Sequence, residues 1–280
     1  MYECFEVSIS EGVAHVQLSR PDDLNTMVPA FWSELPAIIS DIDAGAKARV
    51  VVLSSTGKHF SAGMDLAVFT GDSMLAASGG ASERGRKASF LWMMVQHLQE
   101  SFTALERARM PVLAAIQGGC IGGAVDMVSA ADMRYCSAEA FFCIQEINIG
   151  MTADVGTLQR LPKIIPEGIA RELAYTGDRM PAQRALEVGL VNRVFDDHDS
   201  LVEGTLEIAA RIASKSPLGI WGTKEAINYS RDHSVADSLR HIAGWQSGMF
   251  VGSDMMEEFA AKAEGRDTAF EEIPTRPEGT

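Results

Sequence analysis

The chain has 280 residues, 46% of them hydrophobic and 22% charged, enough for a large buried core and ordinary for a globular protein. Its formal net charge of −14 argues against nucleic acid and anionic membrane as partners, since both would repel it. The four cysteines, Cys4, Cys120, Cys136 and Cys143, form no C-x-x-C and no ligand spacing with the six histidines, so they read as buried free thiols in a reducing compartment with no metal site.

Residues 4–9 and 13–18 alternate apolar and polar around Glu11-Gly12, which predicts a hairpin. A helix follows over about 29–43, apolar at Phe31, Leu35, Ile38, Ile39 and Ile42. VVVL at 50–53 is a fully apolar strand of the kind buried between helices. The stretch 71–86 is rich in Gly, Ser and Ala and long for a loop in a compact domain, so it is read as mobile or functional. A helix is predicted over about 88–107, a buried strand at 111–116, and further strands at 132–136 and 141–144. Helices at about 155–161, 167–176 and 181–188 and a strand at 190–195 come next. From residue 200 the pattern is helical throughout, over 200–214, 217–231, 234–250 and 252–264. No internal repeat is visible. The alternation followed by a helical block predicts an α/β core and a helical C-terminal part, with the boundary between 195 and 200. Apolar helix faces with little room for a core of their own commonly pack on a neighbour.

Between the strand at 111–116 and an apolar helical pattern lies a glycine cluster, Gly118-Gly119 and Gly122-Gly123. A strand, glycine loop and helix start leave backbone N–H groups unpaired. The cluster is neither a Walker A loop, since no Lys-Ser/Thr follows, nor G-x-G-x-x-G. Three carboxylates stand nearby in apolar surroundings: Asp126, Glu146 and Asp154. Singly they could be a first-turn acid, a strand-end residue and a helix N-cap. Together beside one donor loop they point to chemistry.

Two long motifs stand in order, FSAGMDL at 60–66 and GGCIGGAVDMVSAADMRYCS at 118–137. With them the chain resembles the crotonase, or enoyl-CoA hydratase/isomerase, superfamily over nearly its whole length. TADVGTLQRLPK at 152–163 and SRDHSVADSL at 230–239 sharpen the resemblance to its Δ3,5-Δ2,4-dienoyl-CoA isomerases. This implies a ββα spiral catalytic core over 1–197 and a helical oligomerisation region over 198–280, assembled as a homotrimer or a homohexamer built as a dimer of trimers. It also implies an acyl-CoA thioester substrate, coenzyme A being part of that substrate and no separate cofactor being needed. Coenzyme A is anionic, so its site requires a local basic patch on an acidic chain. No secretory, transit or membrane-spanning pattern is recognisable and the C-terminus is not of the peroxisomal type, so the expected location is cytoplasmic.

By the family pattern the backbone N–H groups of Met64 and Gly123 form an oxyanion hole, and Ala62, Gly63, Met64, Asp65, Leu66, Gly122 and Gly123 line the substrate and CoA site. Two such donors stabilise an enolate without reorganising, commonly the largest catalytic contribution. Hydratases of the family carry Glu where Asp126 stands, and glycine where this chain has Asp154. Hydration needs two acids around one water, whereas moving a proton from C2 to C6 needs an acid or base at each end of a diene. The expected roles are therefore Glu146 as the C2 base, its pKa raised by burial; Asp154 as the C6 acid; and Asp126 as an orienting or polarising group. Ala124, in place of a third glycine, is tolerable if its φ is negative. His59 is expected to be structural. The implied function is isomerisation of 3,5-dienoyl-CoA to 2,4-dienoyl-CoA in fatty-acid β-oxidation. The alternatives are a 2-enoyl-CoA hydratase, if Asp126 and Glu146 share a water, and an inactive scaffold on the same fold.

Overall fold

The structure is a computed structural model and describes residues 2–69, 83–250 and 252–277. A hairpin of β1 (Phe5–Ser10) and β2 (Val13–Leu18) opens the chain, followed by α1 (Pro29–Ala44) and β3 (Val50–Ser55). Next come α2 (Arg84–Arg107), β4 (Val112–Ile116), β5 (Gly119–Ile121), α3 (Gly123–Ser129), β6 (Met133–Ser137) and β7 (Phe141–Cys143). The chain continues through α4 (Thr157–Arg160), α5 (Glu167–Thr176), β8 (Met180–Pro181), α6 (Ala182–Glu187) and β9 (Arg193–Phe195). It closes with α7 (His198–Ala213), α8 (Pro217–Ser230), α9 (Val235–Met249) and α10 (Gly252–Glu264).

The strands form a six-stranded sheet in the order β1-β2-β3-β4-β6-β9 and a three-stranded sheet in the order β5-β7-β8. Beyond the hairpin the large sheet is parallel. β4 passes into β5 and β6 into β7, so consecutive strands step from the large sheet to the small one. This is the mixed α/β spiral that the motifs imply.

Why residues 50–53 of β3 and all of β4 are apolar follows from the pleat. Val51, Leu53, Val112, Ala114 and Ile116 face the main core under α1, α2 and α3. Val50, Val52, Leu113 and Ala115 face a second core closed by Leu201, Ala209 and Ala213 of α7. Burying Leu201 alone is worth about 1.5–3 kcal/mol, against about 0–1 for an exposed ion pair. The apolar face of α7 therefore holds it on the sheet. α9, by contrast, buries none of its residues and leaves Val235 and Leu239 exposed.

Three boundaries differ from the predicted ones for identifiable reasons. α2 begins at Arg84 because the Glu83 carboxylate caps it, accepting from the Gly85 and Arg86 N–H groups; apolar periodicity alone started it four residues later. Of the expected 71–86 loop, residues 71–82 lie outside those described. β5 is a strand where the glycines around it predict a loop; it pairs with β7 from Gly119↔Phe141 to Ile121↔Cys143. The helix expected at 155–161 is one turn, α4, with Gly156 at its N-cap.

α1 carries Pro36 in its interior, which removes the N–H that would bond the Trp32 carbonyl. The Ser101 hydroxyl of α2 donates to that carbonyl instead, at 2.8 Å. The repair joins α1 to α2 and fixes Trp32, whose ring stacks at a tilt on Phe102, 5.4 Å between centroids.

Candidate active site

The site grows from the place where the loop at 60–66 runs beside β5. Phe60 N–H donates to the Gln117 carbonyl at 2.8 Å, and Ser61 exchanges bonds with Gly119 and Ile121 at 3.2 and 3.1 Å. Two residues on, Met27 N–H donates to Gly63 O at 2.8 Å and Asp65 N–H to Met27 O at 3.3 Å. These bonds use the groups on either side of Met64 and leave its own N–H directed away from Met27. Gly63, at φ +83°, allows the close approach: a Cβ there would meet Ile121 O at 2.5 Å and Gly123 N at 3.3 Å.

Gly123 is the first residue of α3, so its N–H has no intrahelical acceptor. Neither it nor Met64 N–H has a backbone partner among the described residues. A Cβ built on Gly123 would lie 3.9 Å from Met64 N, so the two donors address one small volume. The dipole of α3 adds positive potential there. Ala124 lies inside α3 and is absent from the positive-φ residues, so the alanine costs no strain.

The three acids come from three elements. α3 carries Asp126 in its first turn, 1% exposed. Its Oδ1 accepts Thr157 N–H at 2.6 Å, while Oδ2 is buried without a partner. Burial, partly offset by the Thr157 bond, pushes its pKa up to about 6. Glu146 opens a short 3₁₀ turn after β7 (Glu146–Ile149), and its Oε2 is likewise buried and unpartnered. Burial first, then the Asp126 charge, pushes Glu146 up to about 7. A Cβ on Gly122 would sit 3.2 Å from Glu146 Oε1, so this carboxylate lies against the start of α3. Asp154 stands half-buried in irregular chain ahead of α4, and burial raises its pKa as well.

All three acids line one cavity of about 450 Å³ together with Ala62, Gly63, Met64, Gly122 and Gly123. Asp65 is not among its walls. Asp65 instead accepts Ala67 N–H at 2.8 Å, and Leu66 opens a 3₁₀ turn. His59 accepts Gly119 N–H through Nδ1 at 2.9 Å and so supports the loop rather than the cavity.

Among the wall residues that the sequence reading does not single out, Trp32 and Arg179 carry polar groups that bear on the site. Trp32 lines the cavity with its indole N–H buried and unpartnered. A tryptophan in the middle of an apolar helix face is the available signal, because its N–H needs an acceptor. Arg179 has no local signal; it precedes β8 and its guanidinium lies 4.5 Å over the Phe141 ring.

Carboxylates that keep a buried oxygen without a partner and a pKa raised by burial can take and return protons, and two converging N–H groups can hold a developing oxyanion. The combination suits proton abstraction beside a carbonyl. Among the described residues no group of three or more His, Cys, Asp or Glu is arranged to hold a metal ion, and no helix is long and apolar enough to cross a membrane.

The enoyl-CoA hydratase/isomerase family profile matches residues 8–273. The chain is 43% identical over 268 residues to the mitochondrial Δ3,5-Δ2,4-dienoyl-CoA isomerase of Homo sapiens, covering 95% of this chain and 81% of that one. It is 39% identical over 271 residues to the peroxisomal enzyme of the same name from Arabidopsis thaliana, covering 97% of each. Among solved structures it resembles the enoyl-CoA hydratase of Bacillus anthracis, with a TM-score of 0.82 at 29% identity over 96% of this chain and 99% of that one. The mitochondrial and peroxisomal relatives overturn the expected cytoplasmic location. Compartment is set by targeting signals that a receptor reads, not by the packed fold, so composition and missing motifs are a poor guide to it.

Proposed function

The chain belongs to the enoyl-CoA hydratase/isomerase family, and from that premise we propose that it is a Δ3,5-Δ2,4-dienoyl-CoA isomerase of fatty-acid β-oxidation. The observation that carries this reading is Asp154, a third carboxylate in the cavity that already holds Glu146 and the two free N–H groups. The names of its relatives support it.

The thioester oxygen of a 3,5-dienoyl-CoA sits between Met64 N–H and Gly123 N–H. Glu146 takes a proton from C2, and the negative charge spreads through the diene onto that oxygen. Asp154 delivers a proton to C6, so one C–H bond breaks, one forms, and the double bonds move to positions 2 and 4. Asp126 acts at one remove: through Thr157 it holds the segment that bears Asp154. Coenzyme A enters as part of the substrate, with no separate cofactor. Arg179, the cationic residue among the described residues of the cavity wall, supplies positive charge for its anionic end.

The 2-enoyl-CoA hydratase reading has one observation in its favour: Asp126 and Glu146 each keep a buried oxygen without a partner, so a water could lie between them. Turnover of 3,5-dienoyl-CoA beside 2-enoyl-CoA, followed in the ultraviolet, decides between the two. A conjugated 2,4-diene is expected; a product that only hydrates would refute the isomerase.

The pKa of Glu146 gives the acidic limb of the rate profile. Glu146 must be unprotonated to act, so kcat/KM should rise with pH through about 7. A profile flat across neutrality would remove Glu146 as the base.

Assembly follows from the helices beyond α7. Val235 and Leu239 of α9 and Met256 and Phe259 of α10 are exposed. We read the helices beyond α7 as the oligomerisation part, in a homotrimer or a dimer of trimers; α7, although it lies past the expected division at 197/198, packs on the sheet as part of the core. Sedimentation should give a mass far above 30.2 kDa; a clean monomer at micromolar concentration would remove the claim.

A further inference from the structure

The acid proposed to serve C6 stands on chain with no regular structure of its own. Residues 151–156 belong to no helix or strand, yet Asp154 would have to be held to a fraction of an ångström at the far end of a diene. Backbone without a ladder is fixed by whatever side chains bond it, and here three elements each contribute one bond. Asp126 of α3 accepts Thr157 N–H from the cavity side. From behind, Gln99 Nε2 of α2 donates to the carbonyl oxygen of Asp154 itself, at 2.7 Å. Beside it, Arg160 Nη1 reaches the Val155 carbonyl at 3.4 Å.

The rear bonds belong to a braced network. Arg160 donates through Nε and Nη2 to Glu106 at 2.9 and 2.6 Å, and Arg231, at the C-cap of α8, pairs with the other oxygen of Glu106 at 2.9 Å. Arg160 Nη2 also donates to Thr103 Oγ1 at 3.2 Å, and Thr103 Oγ1 in turn donates to the Gln99 carbonyl at 2.9 Å. The arginine can fold back in this way only because residue 156 is glycine: a Cβ there would collide with Arg160 Nη1.

We propose that Gln99, seated on the Glu106–Arg160 brace, is the positioning residue for Asp154, fixing the acid at C6 from outside the cavity without touching substrate. This rests on the isomerase reading above and adds to it a residue that the carboxylates alone do not reveal. The bond is to the backbone of Asp154, so Gln99 governs where the carboxyl stands. Glu146, Met64 and Gly123 lie in other segments and do not depend on it.

The test separates the two ends of the reaction. Gln99→Met keeps the length and helix propensity of the side chain and removes the donor; Gln99→Glu keeps the shape and turns donor into acceptor. In D2O with a 3,5-dienoyl-CoA, both variants should keep deuterium exchange at C2 within about twofold. Formation of the 2,4-diene should fall by roughly 10–100-fold, as expected when a catalytic group is misplaced by about 1 Å. Retained exchange also shows that the variants are folded. The double variant Gln99→Met with Asp154→Asn should form product no more slowly than Asp154→Asn alone, because a residue that acts through Asp154 has nothing left to position. Equal loss of exchange and isomerisation in both variants would mean general damage and would overturn the proposal. So would isomerisation at the normal rate, or additive losses in the double variant. If Asp154→Asn by itself isomerises normally, the isomerase reading fails first and this inference with it.

Discussion

Replacing Asp154 by asparagine should abolish formation of the 2,4-diene while leaving C2 deprotonation intact. Asparagine fills the same space and keeps the backbone carbonyl that Gln99 bonds, so the loop should survive. Glu146 and the two free N–H groups, which belong to other segments, still form and hold the dienolate. In D2O the variant should therefore exchange deuterium into C2 of a 3,5-dienoyl-CoA without releasing product. Loss of a positioned acid usually costs about 10²–10⁴-fold, well outside experimental scatter. Glu146→Gln makes the complementary case, since exchange and isomerisation should vanish together. An Asp154→Asn enzyme that isomerises near the normal rate would reduce Asp154 to a loop residue and end the isomerase reading.

Gly123→Val should cost roughly 10²–10³-fold in turnover, the usual effect of losing one oxyanion donor. The backbone of Gly123 is helical and its φ is not in the left-handed region, so valine is conformationally permitted. The obstacle is the neighbourhood. A Cβ already meets Met27 Sδ at 3.0 Å and stands 3.9 Å from Met64 N. The valine methyl groups would then occupy the volume to which both donors are directed. Near-normal activity in a folded Gly123→Val protein would place the oxyanion hole elsewhere. Gly123→Ala, with only the Cβ, should fall between valine and the parent.

What local sequence determines, it determines well here. β2, α5 and the starts of α1, β3, α8 and α10 lie where alternation, apolar stripes and first-turn prolines place them, because each of those signals is a property of one segment. The long motifs at 60–66 and 118–137 likewise announce the family before any contact is known. Where boundaries moved, a bond outside the apolar pattern was responsible: the Glu83 cap extends α2, and β5, a strand set among glycines, exists only because β7 lies beside it.

The site itself is different in kind. Asp126 bonds a residue 31 positions away, and Gln99 bonds Asp154 across 55. Met64 and Gly123 come together only because Gly63 lets two loops touch. The carboxylates' raised pKa values are a consequence of burial, which packing creates and no residue type carries alone. Arg179 gives no local hint of its place in the cavity wall, and α7 reads as a terminal helix until the second face of the sheet is seen to need covering. By itself the sequence determined which segments would be strands and helices, and which residue types were available for catalysis. Only the tertiary structure decided which of those residues share one cavity and at what charge, because periodicity is encoded along the chain whereas burial and proximity arise between segments distant in it.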